Sequence, residues 1–210
     1  RQEYDPNCKK CNRLDEFLTS THHKYPNYFC KPVPSFGSKS PFFLIVGLAP
    51  GMHGANNTGR PFTGDHAGIL LYKTLYKFGF SNKPDSLCKD NLQLNNCRIT
   101  NAVKCLPPGN KPTANEIKNC NVYLSSEINN LKKGSIILAL GTIAHNAIIK
   151  AQNLSLKNYK FSHGGRHFLP NELILYDSYH CSRYNTQTKR LTESMFFDIF
   201  STINKERGKK

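Results

Sequence analysis

The chain has 210 residues, and 38% of them are hydrophobic, which is enough to form one domain with a sizeable core. No run approaches the roughly 18 apolar residues that a membrane span needs, and the first residues lack the apolar centre of a signal peptide. Lys and Arg number 29 against 14 acidic residues, a net charge of +15. That charge favours a polyanionic partner such as nucleic acid, although solubility or biased base composition would explain it as well.

Strands and helices are predicted to alternate after a polar, Pro-rich stretch over residues 1–41, which is expected to be an irregular arm. The apolar run Phe42–Gly47 predicts a buried strand, and the amphipathic run Ala67–Gly79 predicts a helix. Further strands are predicted at Cys97–Val103, Ser135–Leu140 and Glu172–Asp177, and further helices from Thr113, over Gly141–Ala151 and over Thr192–Asn204. Such alternation predicts one domain over 1–210 of α/β class: a three-layer α/β/α sandwich around a four-stranded parallel sheet.

The connection from the first strand to its helix, Gly47–Gly68, holds six glycines. A strand that runs into a glycine-rich turn and then a helix collects backbone N–H groups at one concave point, where parallel α/β sheets bind ligands. A long surface loop is the alternative, but connections of this length are usually functional. The sequence therefore predicts a ligand site at the carboxyl ends of the strands.

Two polar residues lie at the ends of other predicted strands. Asn101 can donate to and accept from the edge of a planar ligand such as a pyrimidine, although satisfying a turn is an ordinary role for an asparagine there. His180 offers a donor to a developing anion, although a histidine taken singly is more often structural.

Eight cysteines occur, and Cys8 and Cys11 have the spacing C-x-x-C. The chain is long and rich in core residues, so this pair indicates metal or cluster ligation rather than a disulfide framework. Four thiolates suit either zinc or an iron–sulfur cluster, and spacing alone does not separate the two.

Four motifs occur in order along the chain: GLAPGMHGANNTGRPFTGD, NAVKCLPPGNKPTANEIKNC, FSHGGRH and SYHCSRYNTQTKRLT. With the N-terminal CKKC they span nearly the whole chain, and the combination resembles the uracil-DNA glycosylase superfamily, specifically its type-b or family 5 enzymes of bacteria and archaea. Related family 4 enzymes have an acidic residue where this chain has Leu48, so Leu48 and Asp65 favour family 5.

The resemblance implies a monofunctional glycosylase that hydrolyses the N-glycosidic bond of uracil, and of other deaminated bases, in DNA and so begins base excision repair. The base would be flipped out, with Phe62 stacked on it and Asn101 at its edge; for Phe62, plain core packing is the alternative. Asp65 would stabilise the cationic sugar or orient the water, and His180 would donate toward O2 of the base.

The resemblance also implies a set of binding residues around that chemistry. Backbone N–H groups around Ala49 and Gly51 would add dipoles to the pocket. The implied DNA contacts are Arg166, Ser182, Arg183, Tyr184, Asn185 and Gln187, and for the charged ones a solvated face is the alternative. Family members commonly have His-Pro-Ser where this chain has His180-Cys181-Ser182, so this loop is expected to be less preorganised.

Enzymes of types 4 and 5 carry a [4Fe–4S] cluster, and the matching ligands are Cys8, Cys11, Cys105 and Cys120. Its expected role is structural, pinning the arm to the segment after the second strand. The implied partner is DNA containing uracil or other deaminated bases, bound by a monomer in the cytoplasm of a prokaryotic-type cell. The alternatives are a non-catalytic Fe–S nucleic-acid-binding protein and a cross-linking relative with a histidine nucleophile, whose extra basic insertion this chain lacks.

Overall fold

The computed structural model describes residues 4–88 and 90–208. Its helices and strands, in chain order, are α1 (Asn12–Lys24), β1 (Phe36–Gly37), β2 (Phe43–Gly47), α2 (Ala55–Thr58), α3 (His66–Lys77), β3 (Cys97–Asn101), α4 (Ala114–Asn129), β4 (Ile136–Leu140), α5 (Thr142–Ala151), β5 (Arg166–Phe168), β6 (Ile174–Ser178), α6 (Arg183–Gln187) and α7 (Glu193–Arg207). No helix in these two ranges is long and apolar enough to cross a bilayer.

The centre of the molecule is one sheet with the strand order β1-β3-β2-β4-β6-β5. Its four central strands are parallel, as predicted, whereas β1 and β5 pair antiparallel with β3 and β6 at the edges. The predicted count of four strands is therefore wrong, because the described sheet has six. The edge strands hold only two and three residues, too few to show an alternating apolar pattern.

Helices cover both faces of the sheet, which confirms the three-layer α/β/α arrangement. On one face α3 and α7 pack on the strands, with Leu71 and Phe200 in the core. On the other face α4 and α5 do so, with Leu124 and Ile148 in the core. Every residue of β4 is buried, as expected of a parallel strand covered on both sides.

The arm over residues 1–41 is not irregular throughout, because α1 occupies Asn12–Lys24. Its buried residues Leu14, Leu18 and Thr21 recur at helical spacing, a stripe too narrow to stand out in a polar segment. Two nitrogens of Arg13 each lie 2.8 Å from a carboxylate oxygen of Glu116, the residue that also completes the capping box of α4 with Thr113. This bidentate pair fastens α1 to the start of α4.

From β2 the chain first adds β3 on one side of the sheet and then crosses to add β4 on the other side. β2 pairs with β3 on one side and β4 on the other, so a crevice forms outside the carboxyl ends of these strands. Gly47 and Asn101 are register partners at that edge, as are Leu140 and Ser178. The polar residues that follow these strand ends therefore meet, as the sequence predicts.

Candidate active site

A cavity of about 450 Å³ opens at the carboxyl edge of the sheet. Small-molecule sites span roughly 300–1,000 Å³, so this one can hold a ligand of moderate size. The predicted site residues in its lining are Ala49, Gly51, Phe62, Asp65, Asn101, His180, Ser182 and Arg183. The fold therefore gathers the candidate catalytic and substrate-binding residues around one space.

Asp65 is the residue directly before α3, and its carboxylate packs against the glycines of the first motif instead of capping the helix. A Cβ on Gly51 or Gly54 would overlap its carboxylate, so these glycines are needed for the close approach. Oδ2 of Asp65 accepts a hydrogen bond from the backbone N–H of Ala55 at 3.3 Å. Burial raises the pKa of Asp65, and the bond from Ala55 opposes part of that rise. A desolvated carboxylate in the lining is suited to stabilise a developing cation.

Phe62 and Asn101 meet over Gly47, at the end of β2. A Cβ on Gly47 would lie 2.5 Å from Oδ1 of Asn101 and 2.6 Å from Cζ of Phe62, so only glycine leaves room for both. Phe62 has a φ of +57°, a left-handed conformation that is unusual for a bulky residue and typical of strained functional sites.

The amide of Asn101 carries an unused acceptor. The residue is 3% exposed, and among the described residues its Oδ1 has no hydrogen-bond partner. Buried polar atoms are nearly always paired, so an orphan in a cavity wall points to a ligand that supplies the partner. With the ring of Phe62 beside it, the site suits a flat ligand that carries an N–H on its edge.

His180 lies across the cavity, two residues past β6. Its ring stacks near Phe62, with the centroids 6.0 Å apart and the planes inclined by 27°. Burial lowers the pKa of His180 to about 4, so the imidazole is neutral at pH 7 and carries one N–H. Its backbone carbonyl accepts a hydrogen bond from Nδ2 of Asn185 at 2.8 Å. A neutral donor held in this way can stabilise an anion that forms in the cavity.

The predicted DNA contacts from Ser182 to Gln187 lie in α6 and its N-cap, and of these residues Ser182 and Arg183 line the cavity. Oγ of Ser182 accepts a hydrogen bond from the backbone N–H of Asn185 at 3.4 Å. Tyr184 is 70% exposed, an unusual state for an aromatic side chain, and Gln187 is exposed as well. Asn185 points inward to His180, so it also has a role within the protein.

Arg166 does not line the cavity. Its Nη2 lies 2.8 Å from Oε1 of Glu206, its Nε donates to the hydroxyl of Tyr176 at 3.0 Å, and its guanidinium lies 4.2 Å from the ring centre of Phe168. The charge of Arg166 is therefore partly committed within the protein, and its contact with DNA stays a prediction.

Two polar residues of the lining, His66 and Asn110, have no role assigned from the sequence. Nε2 of His66 lies 3.3 Å from Oγ1 of Thr186, which joins α3 to α6 across the mouth. His66 directly follows the candidate catalytic residue Asp65 in the sequence, and this could have identified it as a residue of the site. Asn110 has a φ of +57° in a Pro-Pro-Gly-Asn turn. The sequence predicts that turn, but it does not predict that the turn brings Asn110 to the cavity.

The four cysteines of the predicted cluster, Cys8, Cys11, Cys105 and Cys120, line one small cavity beneath α1. Four thiols around one space are a donor set that fits an iron–sulfur cluster and also suits a zinc ion.

Two of these sulfurs face N–H donors. The backbone N–H of Lys104 lies 3.3 Å from Sγ of Cys120, and Nδ2 of Asn119 lies 3.5 Å from Sγ of Cys11. Such hydrogen bonds are the usual support of cluster thiolates. Cys181, in contrast, is fully buried in the main core, where its side chain fills space.

Known proteins resemble this chain over most of its length. The family model of the uracil DNA glycosylase superfamily matches residues 34–204. The type-5 uracil-DNA glycosylase of Thermus thermophilus is 43% identical over 181 residues, covering 86% of this chain and 83% of the relative. That of Mycobacterium leprae is 40% identical over 210 residues, covering 96% and 92%. A type-4 uracil-DNA glycosylase of Pyrobaculum aerophilum is 35% identical over 145 residues, covering 69% and 60%.

The fold also resembles a solved structure. The crystal structure of SMUG2 from Pedobacter heparinus covers 96% of this chain and 86% of its own, with a TM-score of 0.50 and 14% identity. At that identity the likeness speaks for the fold alone.

Proposed function

Because the chain belongs to the type-5 uracil-DNA glycosylases of the uracil DNA glycosylase superfamily, we propose that it hydrolyses the N-glycosidic bond of uracil in DNA. Removal of the base begins base excision repair. The substrate is DNA that contains uracil, and other deaminated bases such as hypoxanthine are expected as slower substrates. We further propose that the protein works as a monomer in the cytoplasm.

One observation carries this proposal: the unpaired buried Oδ1 of Asn101 beside the ring of Phe62. Uracil offers an N–H next to a carbonyl along its edge, which matches the acceptor and the donors of a side-chain amide. A base inside a duplex cannot reach this wall, so the nucleotide must be flipped out before it binds.

Breaking the bond leaves positive charge on the sugar and negative charge on the base. His180, neutral because burial lowers its pKa to about 4, would donate its N–H toward O2 of the leaving base. Asp65 would act as a carboxylate, stabilising the oxocarbenium-like sugar and orienting the water that adds to C1′. The water oxygen bonds to C1′, and the departing base takes a proton to leave as free uracil.

The mouth of the cavity would hold the DNA. Ser182 and Arg183 would contact the backbone, with Tyr184, Asn185 and Gln187 near the gap left by the flipped base. Arg166 would meet a phosphate farther along only if it exchanges its pairing with Glu206. The net charge of +15 supports such binding in general.

Cys8, Cys11, Cys105 and Cys120 would hold a [4Fe–4S] cluster. Their placement around one cavity and the N–H donors that face two of the sulfurs support this proposal. When bound, the cluster would crosslink the chain and could exchange one electron. Its proposed role is structural: it joins the segment before α1 to the loop and helix that follow Asn101.

The test is an oligonucleotide with one uracil, incubated with the anaerobically purified protein and then treated with alkali. We expect cleavage at the uracil only after alkali, and free uracil in solution. A non-catalytic DNA-binding protein would leave the strand intact. A protein–DNA adduct trapped by borohydride would contradict hydrolysis by water.

A further inference from the structure

We propose that residues 161–167, the segment FSHGGRH, form a brace that positions His180 for catalysis. The proposal rests on the proposed function, because it assigns these residues to the geometry of that active site. The brace acts on Asp177 and Tyr179, two of the three residues that precede His180.

The first contact is through the side chain of Asp177, which is fully buried at the end of β6. Its Oδ2 lies 3.1 Å from Nε2 of His167 and 3.4 Å from the backbone N–H of Ser162. Its Oδ1 lies 2.7 Å from Nδ1 of His145, a residue of α5. Asp177 is thus held from two sides, by the brace and by α5.

The second contact is through His163. Its Nδ1 accepts a hydrogen bond from the backbone N–H of Tyr179 at 3.1 Å, and the two rings stack with centroids 4.8 Å apart. Burial lowers the pKa of His163, which keeps the ring neutral and able to accept. The bonded N–H belongs to the residue directly before His180, so the contact fixes where the catalytic loop leaves the sheet.

Backbone hydrogen bonds also join the brace to β6. The N–H of Gly164 donates to the carbonyl of Asp177 at 2.9 Å, and the N–H of Asp177 donates to the carbonyl of Gly165 at 3.0 Å. From the side of α5, the N–H of Gly141 donates to the carbonyl of Ser178 at 2.8 Å.

The cluster of His145, His167 and Asp177 is better explained as hydrogen bonds than as a metal site. Nε2 of His145 lies 2.9 Å from the carbonyl of Tyr159, and its Nδ1 faces the carboxylate, so both nitrogens have acceptors. The two histidines also bond to different oxygens of Asp177 rather than converging on one point. Burial lowers the pKa of His145, but the contacts with Asp177 and with the carbonyl of Tyr159 outweigh burial and raise the pKa overall, the direction expected for a ring that donates from both nitrogens.

Unlike Arg166, the two brace histidines are not proposed to contact DNA, because His163 and His167 make their bonds within the protein. If the segment bound DNA, a change in it would weaken affinity. If it positions His180, the same change slows the chemical step and leaves affinity intact.

The experiment compares His163→Ala with His163→Asn, since Oδ1 of asparagine can stand in for Nδ1 as the acceptor for Tyr179 N–H. Asn158→Ala, an exposed change on the same connection, is the matched control. We expect His163→Ala to lower the single-turnover rate on a uracil oligonucleotide about tenfold to a hundredfold, as small misplacements of a catalytic group do. His163→Asn should recover the rate to within about threefold, and all three variants should bind abasic DNA like the wild type.

A normal rate for His163→Ala, or an equal loss in both His163 variants, overturns the brace. If His163→Ala binds DNA more weakly but reacts at the normal rate once bound, the segment is a DNA contact and the brace is overturned. If the wild type contains one equivalent of metal and Asp177→Asn loses it, the cluster is a metal site and the brace is likewise overturned. A wild type that releases no uracil instead refutes the proposed function. In that case, hydrogen exchange at the backbone amide of Tyr179 still tests the brace. Slow exchange in the wild type and in His163→Asn, together with fast exchange in His163→Ala, supports the brace. Fast exchange in the wild type refutes it.

Discussion

Gly54 and Asp65, eleven residues apart in the chain, lie directly against each other: a Cβ on Gly54 would overlap the carboxylate of Asp65. Gly54 is not among the residues that line the cavity, so it bears on the site through the position of Asp65. Gly54→Ala should push the carboxylate away and lower the single-turnover rate about tenfold to a hundredfold.

Binding of abasic DNA by Gly54→Ala should stay near the wild-type level. Gly208→Ala is the matched control, because a Cβ there would make only ordinary contacts near 3.8 Å. A Gly54→Ala variant with the wild-type rate would show that the position of Asp65 does not limit the chemistry.

Asp65→Asn should separate stability from activity. The pKa of Asp65 is raised by burial, so the folded protein binds its proton more tightly than the unfolded chain does. The stability contributed by this group therefore falls as the pH rises from the ordinary Asp range through the raised pKa. At pH 7 we expect the asparagine variant to melt no lower than the wild type, while its excision rate falls by about 10²–10³.

The pH dependence of the rate provides a second reading of Asp65. The wild-type single-turnover rate should fall as the pH drops through the raised pKa of Asp65, because protonation removes the carboxylate. His180→Ala should be slower at every pH and keep this acid limb. If the rate of Asp65→Asn still falls with decreasing pH in the same way, the fall in rate belongs to another titratable group.

Lys104 and Glu127 form a buried ion pair, with Nζ of Lys104 3.1 and 3.0 Å from the two carboxylate oxygens of Glu127. Their side chains are 3% and 2% exposed. Lys104→Met leaves the carboxylate buried without its partner, and should lower the free energy of unfolding by about 3–5 kcal/mol. The double variant Lys104→Met/Glu127→Leu should recover most of that loss, as measured by urea unfolding. If the double variant is less stable than the single, the pair does not behave as a coupled unit.

The proposed cluster gives a prediction on composition. Protein purified without air should be brown, absorb broadly near about 400 nm and contain iron and sulfide. Cys120→Ser should lose iron and solubility together, because the ligand joins α4 to the arm, whereas Cys88→Ser, at an exposed cysteine, should keep both. Full zinc occupancy without sulfide would rule the cluster out.

Much of the fold could be predicted because its signals are local. The buried run Ile136–Leu140 predicts a parallel strand by itself, and Thr113 with Glu116 predicts the start of a helix. β5 could not be predicted, because Arg166–Phe168 is a strand only by virtue of pairing with β6. α1 was not predicted, because only three of its residues are buried and one of these is a threonine, too weak an apolar pattern to indicate a helix.

The site divides in the same way. Strand ends predict that Asn101 and His180 share one edge of the sheet, and the structure brings both to one cavity. The left-handed backbone of Phe62 and the bond from Tyr179 to His163 depend on residues far apart in the chain, so periodicity and spacing carry no signal for them. The roles taken from the family motifs remain predictions until variants are measured.

The most direct test of the central claim is the single-turnover rate of Asn101→Ala on oligonucleotides that carry either uracil or hypoxanthine. Oδ1 of Asn101 is the unpaired acceptor in the wall, so its loss should slow uracil release by about 10²-fold, as loss of a hydrogen-bonding group in a polar pocket does. Hypoxanthine, a purine seated differently, should lose much less. Equal losses on both bases, or a wild-type rate on uracil, would contradict the assignment of this pocket to reading the uracil edge.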